Sequence, residues 1–225
     1  MKLISSILLL FSFVPLLAKG PPADAGFIRF VNLVDAGEGN TGLKINGKNI
    51  WKPGYRLGQK TGALPLSAGK QKFVVSKEGC LVAEREIVVE KGQSQTVVGF
   101  AEEVFDEEGE SLGWQIKLAS LKQHTPESGL VVTFLSFCKE DALDLVIEET
   151  VTKKVYNQLV KKRRSERLKL VDSGRVRATV KYKGERIGSI KIEDKGNYVA
   201  IIYDSEEGKK KLKTFYDPKF VISES

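Results

Sequence analysis

Two stretches, "GFIRFVNLVDAG" (26–37) and "GLVVTFLSFCKED" (129–141), decide how this chain folds. Each starts at a glycine, enters a run dominated by Val, Ile, Leu and Phe, and ends in acidic and small residues. Such runs read as β-strands that end in turns. The kinship continues downstream. "GALPLSAGKQKFVVSKEG" (62–79) corresponds to "ERLKLVDSGRVRATVKYKG" (166–184), and "EIVVEKGQSQTVVGF" (86–100) corresponds to "SIKIEDKGNYVAIIYD" (189–204). The offset through these two blocks is about 104 residues. A period of that length is the size of a whole small domain, too long for a solenoid repeat, so the chain reads as a tandem duplication.

Each copy reads as all-β. "LKING", "QKFVVS", "EREIVVE", "QTVVGFAEEVF" and "GWQIKLASL" are short runs of strand-forming residues at intervals of about 8–12 residues. Glycines close the turn sequences at Gly47, Gly69, Gly79, Gly92 and Gly109, where positive φ is needed. About seven strands per ~100 residues predict an immunoglobulin-like β-sandwich for each copy. One segment is ambiguous. "EETVTKKVYNQLVKKRRSERL" (148–168) holds good helix formers and neither Gly nor Pro. Its counterpart at 47–64 contains Pro53, Gly54, Gly58 and Gly62 and cannot be a regular helix. A shared fold therefore predicts an irregular or short strand segment at 155–162 and a strand at 166–170, and a one- or two-turn helix in the second copy only is the alternative.

The N-terminus predicts export. Lys2, the apolar run Ile4–Leu17 and the small residues that follow give the order of a secretory signal peptide. The run is shorter than the ~20 residues of a membrane-spanning helix, and no later segment resembles one. "ADA" (23–25) places cleavage before Gly26, and cleavage after Ala18 is the alternative. The expected organisation is thus a signal peptide over 1–25, a β-sandwich over 26–121, a polar linker over 122–129, and a degenerate, more basic sandwich over 130–225.

Charge is uneven. The formal net charge is +7. Residues 26–125 carry 13 Lys and Arg against 12 Asp and Glu, whereas residues 126–225 carry 21 against 16. Export turns attention from nucleic acid, which is not expected as a partner, to acidic glycans, cell-wall polymers and lipid head groups. "LVKKRRSERLKL" (159–170) and "GKKKLK" (208–213) supply the candidate polyanion-binding residues Lys161, Lys162, Arg163, Arg164, Arg167, Lys209, Lys210 and Lys211. The competing reading is a solvated strand edge, where Lys and Arg deter edge-to-edge pairing. Trp51 and Tyr55, beside Pro53 and Gly54, are candidate aromatic binding residues, because planar rings stack on sugar faces; an ordinary packing role competes.

Signals for catalysis are thin. His124 is the only histidine and falls in the linker. There is no G-x-S-x-G elbow, no phosphate-binding glycine loop and no Cys/His cluster for zinc. "EEVFDEEGE" (102–110) carries six carboxylates but lacks the calcium-loop ligand order and reads as a hairpin tip. No cofactor and no metal are expected. Cys80 and Cys138 fall at non-equivalent positions of the two copies, leaving open one disulfide or two separate thiols.

"FIRFVNLV", "LKINGKNI", "LPLSAGKQKFVVS" and "VEKGQSQTVVGF" resemble a family of bacterial exported β-sandwich domains that open on an Arg-Phe-Val-Asn or Arg-Phe-Val-His strand and often occur in tandem. The likeness spans Phe27 to Phe100 and is weak over the second copy. The family has no assigned function, so the resemblance implies an extracytoplasmic bacterial protein with no assigned activity. Three functional classes follow: a non-catalytic structural or interaction protein meeting an envelope or extracellular protein; a module binding an acidic polymer; and an enzyme, for which the residues offer least.

Overall fold

The computed structural model describes residues 20–122, 130–170, 176–193 and 196–216. The expected signal sequence up to residue 19 and nearly all of the expected linker lie outside them. The first half contains β1 (Ala25–Leu33), β2 (Glu38–Ile45), β3 (Lys48–Asn49), β4 (Leu64–Ser67), β5 (Gly69–Glu78), β6 (Cys80–Leu81), β7 (Ala83–Val89), β8 (Ser94–Phe105) and β9 (Ser111–Lys122). The second contains β10 (Leu130–Ser136), β11 (Ala142–Glu149), β12 (Val155–Lys161), β13 (Ser165–Leu170), β14 (Val176–Tyr182), β15 (Glu185–Ile192), β16 (Gly196–Asp204) and β17 (Lys210–Tyr216).

The duplication is visible in the topology. Sheet order β4-β1-β8-β9 in the first half matches β13-β10-β16-β17 in the second, and β3-β2-β5-β7 matches β12-β11-β14-β15. Each half has one parallel pair at the same place, β1 with β8 and β10 with β16. The difference is β6, whose two residues add a parallel edge beside β9. Tight hairpins carry the left-handed residues that such turns require: Asn46 and Gly47 between β2 and β3, and Lys183 and Gly184 between β14 and β15. The ambiguous segment is strand, not helix. Val155–Lys161 pairs along β11 from Glu148 to Ala142, and its inward residues end at the buried Val160. The period-two burial and the ladder outweigh the helix propensity of these residues.

Three apolar clusters hold the sheets together. Ile28, Phe30, Val97 and Ile116 of one sheet face Leu43, Phe73, Val75 and Ile87 of the other in the first half. In the second half Leu130, Val132, Phe134 and Ala200 face Leu145, Ile147, Val180 and Ile190. The third cluster joins the halves: Val31, Leu33, Val98 and Phe100 pack against Leu135, Val199, Ile201 and Phe215. The four sheets are therefore stacked, and the two inner ones are covered on both faces. This explains why β10 is buried at every position and why "LVVTFLS" does not alternate apolar with polar. β1 begins at Ala25, which is fully buried and whose carbonyl accepts the Gly92 N–H at 2.9 Å.

Candidate binding cleft at the seam

One surface cleft that joins aromatic and basic side chains lies where the halves meet. An open cleft of about 480 Å³ is lined by Trp51, Tyr55, Gln59 and Lys60 of the first half and Lys213 of the second. Its aromatic wall is fixed by the backbone. The 51–54 turn closes through Gly54 N–H to the Trp51 carbonyl at 3.1 Å, and Tyr55 exchanges two hydrogen bonds with Thr41 at 2.8 and 2.9 Å. Gly54 has φ +73°, and a Cβ there would lie 2.9 Å from Asn40 Cβ and 3.0 Å from the Thr41 carbonyl oxygen. Buried Asn32 donates its amide to the Tyr55 carbonyl at 2.9 Å. Tyr55 packs edge-on against core Phe30 at 5.8 Å and against Trp51 at 5.2 Å. Tyr55 is thereby sunk, and burial raises its pKa, while Trp51 stays 45% exposed at the surface.

The cationic wall is assembled from both halves. Arg29 and Lys60 lie over the Phe215 ring at 4.5 and 5.6 Å from its centroid. Arg29 also donates to the Tyr216 carbonyl at 3.3 Å. Burial, then the charges of Arg29 and Lys213, lower the Lys60 pKa. Neither Lys60 nor Lys213 forms an ion pair with a carboxylate among the described residues. Gln59 accepts the Arg56 N–H through its side-chain oxygen at 2.8 Å, which turns its amide nitrogen away from that bond and leaves it able to donate.

The predicted basic residues are distributed differently from a single patch. Lys161, Arg164 and Arg167 are exposed around the β12–β13 connection. Lys162 donates through Nζ to the Lys139 carbonyl at 3.2 Å. Arg163, at φ +57°, turns across the seam, pairs with Glu102 at 2.7 Å and stacks on Phe100 at 4.8 Å. Lys209 lies near Glu207 at 3.5 Å, and Lys211 is exposed on β17 opposite Tyr203. Lys210 is held between Glu140 and Asp204 at 2.6 and 2.5 Å. β13 and β17 are opposite edges of their sheet, so Arg167 and Lys211 are set apart by its full width. Arg163 and Lys210 are thus paired with carboxylates of the chain itself, Arg163 as a partly exposed tie between the halves. Trp51 and Tyr55 do meet, and the partners that sequence reasoning missed are Gln59, Lys60, Lys213 and Arg29.

A second seam cleft of about 540 Å³ contains Asp35, Trp114, Lys139, Glu140, Asp204 and Lys210. Donor atoms of Cys138, Glu140 and Asp204 lie within 4.8 Å of one another. The Lys210 ammonium already sits between the carboxylates. Burial alone would lower its pKa, but hydrogen bonds to Asp204 and Glu140 outweigh burial and raise it. The same contact lowers Glu140. Burial, with the Asp204 charge, pushes the Cys138 thiol up to about 12. A protonated thiol and a carboxylate pair bridged by one ammonium form a structural cluster, and a metal ion there would have to displace Lys210. Cys80 and Cys138 are both free thiols.

The fold and cleft define an all-β protein of stacked sheets with an aromatic and cationic groove at the seam between its halves. Comparison with protein-family models finds no matching family, and comparison with curated proteins finds no match to the chain.

Proposed function

We propose that this chain is a non-catalytic interaction protein, exported to the bacterial envelope or extracellular space, in which two immunoglobulin-like sandwiches act as one body. The observation that carries the reading is the shared core of Val31, Leu33, Val98, Phe100, Val199 and Ile201. It holds loops from both halves at a fixed spacing, as a multi-point binding surface requires, and pre-organisation lowers the ordering cost of association. The alternative, a module for an anionic polymer acting through the basic second half, gains from the convergence of Lys60 and Lys213 and loses Arg163 and Lys210 to internal carboxylates.

Buried Ala25 bears on processing. Cleavage before Gly26 would remove a fully buried residue and the acceptor of the Gly92 N–H. Cleavage after Ala18 keeps β1 whole and is the site this reading favours. The test is to mix the purified exported protein with isolated envelopes of the producing cells over a concentration series. Saturable retention supports an envelope-binding protein, and retention no greater than on protein-free lipid vesicles refutes it.

A further inference from the structure

We infer that the cleft formed by Trp51, Tyr55, Gln59, Lys60 and Lys213 is a binding site for an acidic sugar, a pyranose bearing a carboxylate or sulfate. The inference rests on reading the chain as a binding protein and gives that reading a ligand class. Three features converge in one groove. The first is a half-exposed indole, Trp51, held edge-on against the buried Tyr55 ring 5.2 Å away. Its own loop is locked by the Thr41–Tyr55 hydrogen bonds and by a glycine, Gly54, that no side chain can replace without collision. A rigid, partly wet indole is a suitable platform for the apolar C–H face of a sugar ring. The second is a pair of ammonium groups delivered from opposite halves, Lys60 and Lys213, without a carboxylate partner among the described residues. They repel each other and lie beside Arg29. An anion placed between them relieves that repulsion and makes charge-assisted hydrogen bonds. The third is the Gln59 amide, whose oxygen is engaged by Arg56 N–H and whose nitrogen can donate to a ring hydroxyl.

A bare inorganic anion would use the lysines and leave Trp51 idle. A neutral sugar would use Trp51 and leave two like charges facing each other. An acidic sugar uses both walls. Because Lys213 comes from β17 and Lys60 from the first half, the site exists only while the two halves are docked.

The experiment uses the full exported chain carrying Trp114→Phe, so that Trp51 is the single indole. Its emission is followed on titration with tetragalacturonate, a heparin-derived tetrasaccharide, neutral maltotetraose and sodium sulfate. A saturable change is expected with at least one acidic tetrasaccharide, weakening as salt rises, and none with maltotetraose. Lys60→Gln with Lys213→Gln should weaken binding at least tenfold, and Lys161→Gln with Arg164→Gln should leave it unchanged. The inference is overturned if neither acidic sugar binds, if the Lys60/Lys213 variant binds as well as the parent, or if sulfate at equal ionic strength competes as strongly as the sugars. Each of those results leaves envelope binding, measured separately, standing or falling by itself.

Discussion

Replacing Ile201 by Ala tests whether the halves are one body. Ile201 is fully buried in the seam core, on the face of β16 turned toward Val31 and Val98. Truncating a buried Ile to Ala costs about 3 kcal/mol, the sum of lost transfer free energy and the cavity left behind. With a urea m-value of about 2–3 kcal/mol/M for a chain of this size, the unfolding midpoint should fall by roughly 1 M. The assay gains its power from the placement of the indoles. Trp51 and Trp114 both lie in the first half, whereas Ile201 belongs to the second. Tryptophan emission therefore reports the first half together with the seam clefts that both indoles line, and far-ultraviolet circular dichroism reports the strands of both halves. If the seam couples the halves, the two probes shift together for Ile201→Ala. They also shift together for Leu145→Ala, which lies deep in the core of the second half alone. Should the Trp midpoint stay in place in both variants while the dichroism moves, the halves unfold independently and the reasoning fails.

Other predictions follow from single contacts. Arg163→Ala should lower stability by about 1 kcal/mol, since its ion pair with Glu102 is more than one-third exposed and the stack on Phe100 adds a comparable small term; urea titration at low and high salt should show only the ion-pair part fading. Iodoacetamide at neutral pH should modify Cys80 before Cys138, read by peptide mass, because Cys138 is buried and its thiol is pushed up to about 12. A thiol whose folded pKa exceeds its unfolded value stabilises the fold fully below that unfolded value. Stability should accordingly decline as pH rises from about 9 toward about 12, and Cys138→Ala should flatten that limb in thermal melts. Gly188→Ala should cost about 1–3 kcal/mol, because the added methyl would lie 2.6 Å from Leu212 Cβ where β15 packs on β17.

Much of the fold was legible because it is local. The five turn glycines expected at 47, 69, 79, 92 and 109 all have positive φ, and the repeated blocks became matching sheets. The seam was not, because it is made of residues from opposite halves of the chain, such as Val31 and Ile201, whose adjacency no period encodes. A signal was nevertheless present. "LVVTFLSF" and "YVAIIY" run apolar without alternation, as strands covered on both faces do. Each sandwich considered alone has no use for a second apolar face on these strands. The basic stretch at 161–164 shows a related limit of sequence reading at Arg163. Charge is visible in the sequence, but the neutralising Glu102 comes from the other half. Trp51 and Tyr55 were visible as a pair, while Lys60 and Lys213 gain their meaning only from docking.

The most direct measurement of the central claim, that the halves dock at one seam and bring Lys60 and Lys213 into the same cleft, is amine cross-linking of the full chain with a short spacer, followed by peptide mass spectrometry. Lys60 should react early because its pKa is lowered, and it should be recovered joined to Lys213. Complete modification of both lysines with no peptide linking them would contradict the docked seam and the site built on it.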